Sequence, residues 1–271
     1  MVSFEQLYYE NDNLWDPTRV APHDRDRIDQ VLSALAPDAQ SLLDVGCGNG
    51  ICCNQAQEQR PHLKRIVGFD RALSALKHVE TEKCAGDIHH LPFEDQEFDA
   101  SVSLEVLEHL PLSIFEAAVR EIARVTRNQI IITVPNSEKL DRNAAQCPKC
   151  KTRFSRTCHM RSFRPSDMQQ LFAAHHFVCR EVRPLSVLGY YGLSNLVTLS
   201  NKLRGRHFAL GCAVCPLCGF HTPNAQPNDK RLLQRHPHVK HFTKKIWPKK
   251  KCDRWLLASY ERVDVGAARV A

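Results

Sequence analysis

The chain has 271 residues, of which 43% are hydrophobic. That composition excludes a disordered chain, and no apolar run approaches the ~20 residues of a membrane-spanning helix. Net charge is +7 but unevenly spread: residues 1–100 are acid-rich or balanced, while Arg204 to Arg254 is strongly basic and contains "KHFTKKIWPKKK".

Such a segment suits an anionic partner (phosphate, lipid headgroup or nucleic acid) or is a solvated basic loop. The start, "MVSFEQLYYENDNLWDP", has early acids and no apolar stretch of the kind export signals carry, so a cytoplasmic protein is expected. The twelve cysteines are then expected as thiols or metal ligands rather than a disulfide framework.

"SLLDVGCGNG" (Ser41 to Gly50) reads as a buried strand, a glycine-rich turn and a helix start. "RIVGFD" (Arg65 to Asp70) is a second strand ending in an acid, and "ALSALKHV" fits a helix. "EFDASVSLEVLEHL" gives a strand from Phe98 to Leu104 running into a turn. "LSIFEAAVREIARV" is amphipathic, with Ile114, Phe115, Ala118, Ile122 and Val125 on one face. "NQIIITVP" is a buried strand closed by Pro135. Residues 137–164 are polar and cysteine-bearing; "RPSDMQQLFAAHHF" restores a helix with Ser166 as expected N-cap; "VCREVRP" and "RWLLASYERV" are the last two strands. Strands alternating with helices predict a parallel sheet covered on both faces.

In "DVGCGNG", glycines at 46, 48 and 50 follow a strand directly, where they permit tight turning and close approach of backbone to ligand. Asp70 ends the next strand, where an acid accepts ribose hydroxyls. The pair points to a nucleoside-containing cofactor. The loop reads G-x-G-x-G rather than G-x-G-x-x-G, and the G-K-[ST] of a phosphate-binding P-loop is missing from it.

"LLDVGCGNG", "GFD", "GDIHHLPFEDQEFD" and "VSLEVLEHL" together resemble the successive motifs of class I S-adenosylmethionine-dependent methyltransferases, over roughly residues 30–135. The resemblance implies an α/β, Rossmann-like, doubly wound sheet of seven mostly parallel strands, the last in sequence antiparallel. It implies that Asp44 and the backbone of Gly46, Gly48 and Gly50 hold the methionine part of S-adenosylmethionine, and that Asp70 binds the ribose. Asp87 and Ile88 fall at the adenine edge, and Leu104 and Glu105 line the methyl-transfer site. The implied chemistry is in-line transfer to a nucleophile, since the sulfonium is already an activated methyl donor.

"CPKC" (Cys147 and Cys150) has a counterpart in "CAVCPLCGF", with Cys212, Cys215 and Cys218. Cys147/Cys150 paired with Cys215/Cys218 makes two C-x-x-C knuckles, the arrangement of a structural four-cysteine zinc site. In this fold the loops after the fifth and sixth strands leave the sheet at the same edge, so such a site would clamp two insertions beside the substrate. Cys212, Cys158 and His159 stay open as alternative ligands. Cys47, Cys52, Cys53, Cys84, Cys179 and Cys252 are expected as small core or surface residues.

"EVLEH" puts Glu105, Glu108 and His109 in one turn, with Glu105 and His109 on a shared face if the turn is helical. It resembles the E-x-x-E-H of ubiquinone-biosynthesis O-methyltransferases and small-RNA 2′-O-methyltransferases, where such residues and a later histidine hold a divalent metal. Here the later histidine is His159, in "CHMRSFRPSDM". Three readings stay open: a second divalent metal on Glu105, Glu108, His109 and His159; general-base catalysis by His109 or His159, with Glu105 beside them; and a structural role.

The expected division is 1–136 cofactor-binding core, 137–164 cysteine-bearing insertion, 165–184 core helix and strand, 185–252 second insertion with lid, knuckle and basic stretch, and 253–271 final strand and tail. Residues 185–251 could also touch a membrane surface peripherally. The knuckles, "H-x-R-S-F-x-P" and the ending "W-x-L-x-x-Y-E-R" resemble a bacterial-type group associated with metabolite and cell-surface glycan modification. The favoured acceptor is therefore a hydroxyl of a small molecule or glycan. RNA is the second choice, because stacking aromatics are scarce in the basic stretch. A non-catalytic cofactor-binding or scaffold protein is the third.

Overall fold

The computed structural model describes residues 9–10, 12–140, 144–147, 149–155, 157–190, 215, 218, 220 and 249–263. Seven strands make one sheet: Ser41–Val45 (β1), Arg65–Asp70 (β2), Glu82–Ala85 (β3), Phe98–Leu104 (β4), Thr126–Pro135 (β5), Phe177–Tyr190 (β8) and Lys249–Arg262 (β9). Ala144–Gln146 (β6) and Arg153–Ser155 (β7) form a separate antiparallel pair. The order in the large sheet is β3-β2-β1-β4-β5-β9-β8. β1 to β5 are mutually parallel, and β9 runs antiparallel to both β5 and β8. The expected seven-stranded, mostly parallel sheet is therefore present, with the chain's last strand inserted antiparallel one place from the edge.

The helices are Pro22–Ser33 (α1), Ile51–Gln59 (α2), Leu73–Leu76 (α3), Leu112–Val125 (α4) and Pro165–Gln170 (α5). Strand periodicity divides the core between two faces. Leu42, Ala100, Ile131 and Leu257 pack with Val31 and Leu32 of α1 and Ala56 of α2. Leu43, Val67, Ile130, Ile132 and Ala258 pack with Ala118, Val119 and Ile122 of α4 and Met168 of α5. Ile130, Ile131 and Ile132 are fully buried, and each such side chain contributes about 1.5–3 kcal/mol relative to exposure. Among the described residues no helix is long and apolar enough to cross a membrane.

Two local expectations differ from the structure. Arg164, not Ser166, caps α5. Proline lacks an N–H and its φ suits the first helical turn, so Pro165 takes that place, and the Asp167 carboxylate accepts the Arg164 amide at 2.8 Å. The last two strands also run past their expected ends at Pro184 and Arg254. Their ladder continues from Leu185↔Trp255 to Tyr190↔Lys249 as a two-stranded ribbon. On the β9 side the sequence of this ladder, "KKKCD", shows no polar–apolar alternation, so its lysines read as loop.

This topology sets the site. The strand order reverses between β1 and β4, and ligands of open α/β sheets bind at the carboxyl ends of the strands there. The segments after β1, β2, β4 and β5 all leave at that edge, and β9 enters from it, with Trp255 opposite Pro135.

Candidate functional site

A cavity of about 480 Å3 lies at the carboxyl ends of β1, β2 and β4. Asp44, Gly46, Gly48, Asp70, Asp87, Ile88, Leu104, Glu105 and His109 line it. Gly50 is not among its lining residues: it precedes α2 with φ +74°, and a Cβ there would lie 2.9 Å from the Val79 backbone. Its glycine requirement is one of packing.

The loop after β1 is held to β2. The amides of Gly46 and Cys47 donate to the Phe69 carbonyl at 2.7 and 3.0 Å. One Asp70 oxygen accepts the Gly48 amide and the other the Ala72 amide, both at 2.8 Å. Asp70 thus fixes the glycine loop and faces the cavity with both oxygens engaged. Asp44 is 1% exposed; the Cys53 thiol donates to one of its oxygens at 3.5 Å, and the other has no hydrogen-bond partner. Burial pushes its carboxyl up to about 7. An orphaned buried acid beside a left-handed glycine loop fits the ammonium of an amino-acid moiety.

Residues near the start, which the sequence reading passed over, complete the wall. Trp15 and Tyr9 line the cavity, and the Trp15 indole donates to the Tyr9 carbonyl at 2.6 Å. A Cβ on Gly48 would lie 2.7 Å from the Trp15 ring. The aromatics of "LYYENDNLW" were the available signal.

The acids and histidines gather at the next strand ends. Glu105 has φ +61°, so the chain leaves β4 through a left-handed residue, and only Leu107–His109 forms a single 3-10 turn. The helical pairing of Glu105 with His109 therefore does not form. Glu105 instead faces Arg27 at 3.4 Å, and Arg27 also donates to the Thr133 hydroxyl at 3.1 Å. Glu108, His109 and His159 do come together, each offering an atom within 4.8 Å of the others. Glu108 is fully buried and neither carboxylate oxygen has a hydrogen-bond partner; His109 Nδ1 also lacks one. The His109 and His159 rings meet edge to face, 4.6 Å between centroids. Burial, then the charge of Glu105, pushes the Glu108 carboxyl well above the usual carboxylate range. Burial, then His159, pushes His109 down to about 3.

Cys147, Cys150, Cys215 and Cys218 form a second cluster, all four sulfurs within 4.8 Å. Cys147 lies 3.6 Å from Cys218, and Cys150 3.5 Å from Cys215. Disulfide sulfurs sit about 2.05 Å apart, whereas tetrahedral metal–thiolate bonds of about 2.3 Å put sulfurs about 3.8 Å apart. The first knuckle turns at Lys151, φ +63°, whose amide donates to the Cys147 carbonyl at 2.9 Å. Cys158 lines the cavity at the carboxyl ends of β1, β2 and β4 instead, and Cys212 lies outside the described residues. Cys47, Cys52 and Cys53 are buried; Cys84, Cys179 and Cys252 are partly exposed.

Comparison with known proteins agrees with this geometry. A methyltransferase-domain family model matches residues 43–133. An uncharacterised protein of Methanocaldococcus jannaschii is 32% identical over 103 residues, 36% of this chain; the alignment covers 42% of that protein, so this chain spans less than half of that curated relative. An S-adenosylmethionine-dependent methyltransferase from Archaeoglobus fulgidus superposes with a TM-score of 0.52 at 13% identity, over 96% of this chain and 98% of that one. A chain of the complex between the Haloferax volcanii Trm112 methyltransferase activator and its methyltransferase partner gives a TM-score of 0.57 at 13% identity, over 94% of this chain and 99% of that one. Residues 43–133 match a methyltransferase-domain family model, and the chain shares the fold of the S-adenosylmethionine-dependent methyltransferase it superposes on.

Proposed function

We propose that the protein transfers a methyl group from S-adenosylmethionine to a hydroxyl oxygen of a small metabolite or glycan. In this reading a divalent cation is held by Glu108, His109 and His159, and a structural zinc by Cys147, Cys150, Cys215 and Cys218. The observation that carries it is Glu108: a fully buried carboxylate whose two oxygens receive no donor, within 4.8 Å of ligand atoms on two histidines. Leaving such a carboxylate unsatisfied costs several kcal/mol, and a cation offsets that cost. Oxygen and imidazole donors suit a borderline or hard divalent ion. The four-thiol set suits zinc.

The chain's own residues do the rest. Asp44 and the glycine loop would hold the amino-acid end of the cofactor and Asp70 the ribose, which would fix the sulfonium in the cavity. Trp15 and Tyr9 exclude water over the loop. A cation held by Glu108, His109 and His159 would acidify and fix an acceptor hydroxyl. Glu105, kept at the wall by Arg27, receives the hydroxyl proton as the C–O bond forms and the S–CH3 bond breaks.

The test is labelled methyl transfer to vicinal-diol and polyphenol acceptors, with and without a chelator, in wild type and Glu108→Ala. Transfer to oxygen, lost on chelation and in Glu108→Ala while S-adenosylhomocysteine still binds, supports the reading. Transfer that ignores the chelator, or goes to nitrogen, refutes it. Acceptance of RNA instead, with affinity falling steeply in salt, would establish a nucleic-acid substrate.

A further inference from the structure

Glu138 lies three residues beyond Pro135, the end of β5, and His159 lies beyond β7; the two flank the cysteine-bearing hairpin. The Glu138 carboxylate bonds His159 Nδ1. Both side chains are largely buried, 16% and 13% exposed. The backbone is bent to achieve this. Ser137, before Glu138, has φ +48°, and Cys158, before His159, has φ +60°, both left-handed positions that non-glycine residues rarely adopt. The Ser137 amide donates to the Phe163 carbonyl at 2.8 Å, which closes the base of the insertion around the pair. On the other side, the Met160 amide donates to the Glu108 carbonyl at 2.7 Å, so His159 is pinned to the turn that carries Glu108 and His109.

We infer that Glu138 is the positioning residue of the cation site: its carboxylate fixes the ring and tautomer of His159 and leaves Nε2 to serve the ion. This rests on the cation reading above. A carboxylate has only lone pairs to offer, so Nδ1 carries the proton and the free lone pair lies on Nε2. Histidines that bind metals are commonly oriented in this way, and loss of the orienting group weakens metal binding about 10–100-fold.

The experiment is Mn2+ binding to the zinc-loaded full chain, followed by electron paramagnetic resonance, in wild type, Glu138→Ala and Glu138→Gln. Zinc content and S-adenosylhomocysteine affinity are measured on the same samples. Glu138→Ala is expected to weaken Mn2+ about 10–100-fold with zinc and S-adenosylhomocysteine binding unchanged. Glu138→Gln, whose amide oxygen still accepts from Nδ1, is expected to stay within about fivefold of wild type. Unchanged Mn2+ binding in Glu138→Ala overturns the inference. A Gln variant as weak as the Ala variant also overturns it, because Glu138 would then be a ligand. Wild type that binds no Mn2+ sinks the cation reading itself. Nitrogen-15 spectra of His159 in the metal-free wild type give a check independent of variant folding: a proton on Nδ1 is expected, and one on Nε2 contradicts the assignment.

Discussion

Replacing Cys215 with Ser removes one corner of the four-thiol cluster. Cross-links from Cys147 to Cys218 and from Cys150 to Cys215 close loops spanning 71 and 65 residues. Closing a loop of that size removes chain entropy worth about 4 kcal/mol, and its loss raises the open population about 1000-fold. The effect is local. The hairpin of β6 and β7 is separate from the large sheet, so the isoleucines of β5 keep their packing. Hydrogen exchange resolves the two regions. The amides of Cys147 and Lys151, which close the knuckle, should exchange about 1000-fold faster in Cys215→Ser, while those of Ile130 to Ile132 keep wild-type protection and zinc is lost. Retained zinc with unchanged protection at Cys147 and Lys151 would refute the clamp, and loss of protection across β5 would refute its local character.

Asp70→Ala removes the acceptor of the Gly48 and Ala72 amides. The variant would also lose the proposed acceptor of the ribose hydroxyls; charge-assisted bonds to them would be worth about 1.5–3 kcal/mol each, so S-adenosylhomocysteine affinity should fall about 100-fold or more by calorimetry, and an unchanged affinity contradicts the assignment. Gly48→Ala puts a Cβ 2.7 Å from the Trp15 ring at φ +53°. It should cost about 1–2 kcal/mol in melting experiments and weaken the cofactor, and a neutral variant would show that the loop is not constrained. Asp44 supplies a pH dependence. Its carboxyl is pushed up to about 7 by burial, and the cofactor ammonium favours the charged form, so S-adenosylhomocysteine affinity should fall as pH drops below about 7 and level off above it. Ligand-free stability runs the other way. The native state keeps the Asp44 proton between pH 3.8 and about 7 while the unfolded state releases it, so this group destabilises the fold as pH rises through that window. Asp44→Asn should flatten both profiles, and a variant that keeps the wild-type slope sinks the assignment.

The parallel half of the sheet was legible because it is buried on both faces. Runs such as "NQIIITVP" cannot sit in solvent, and the glycine turn with Asp70 marks the switch point. The bounds of β4, Phe98–Leu104, follow directly from such a run. The far end of the β8–β9 ladder was not legible, since "KKKCD" has no polar–apolar alternation to read. Within the site, "EVLEH" drew attention to the right turn, but the left-handed Glu105 separates that residue from the pair Glu108 and His109. Positive φ at a glutamate has no sequence signature. Glu138 was hidden for a related reason: it is one acid in a polar loop, and what marks it is its place just beyond β5 at the ligand-binding edge. The clustering of the four cysteines was legible from spacing alone, because each C-x-x-C puts two thiols at one turn.

The most direct measurement is metal content of the chain purified without a metal-affinity column, compared between wild type, Glu108→Ala and Cys215→Ser. Zinc that resists a mild chelator should be lost only in Cys215→Ser, and an exchangeable divalent ion should be lost only in Glu108→Ala. Wild-type protein that takes up no ion sensitive to Glu108 would contradict the cation reading, and the buried carboxylate would then need another partner.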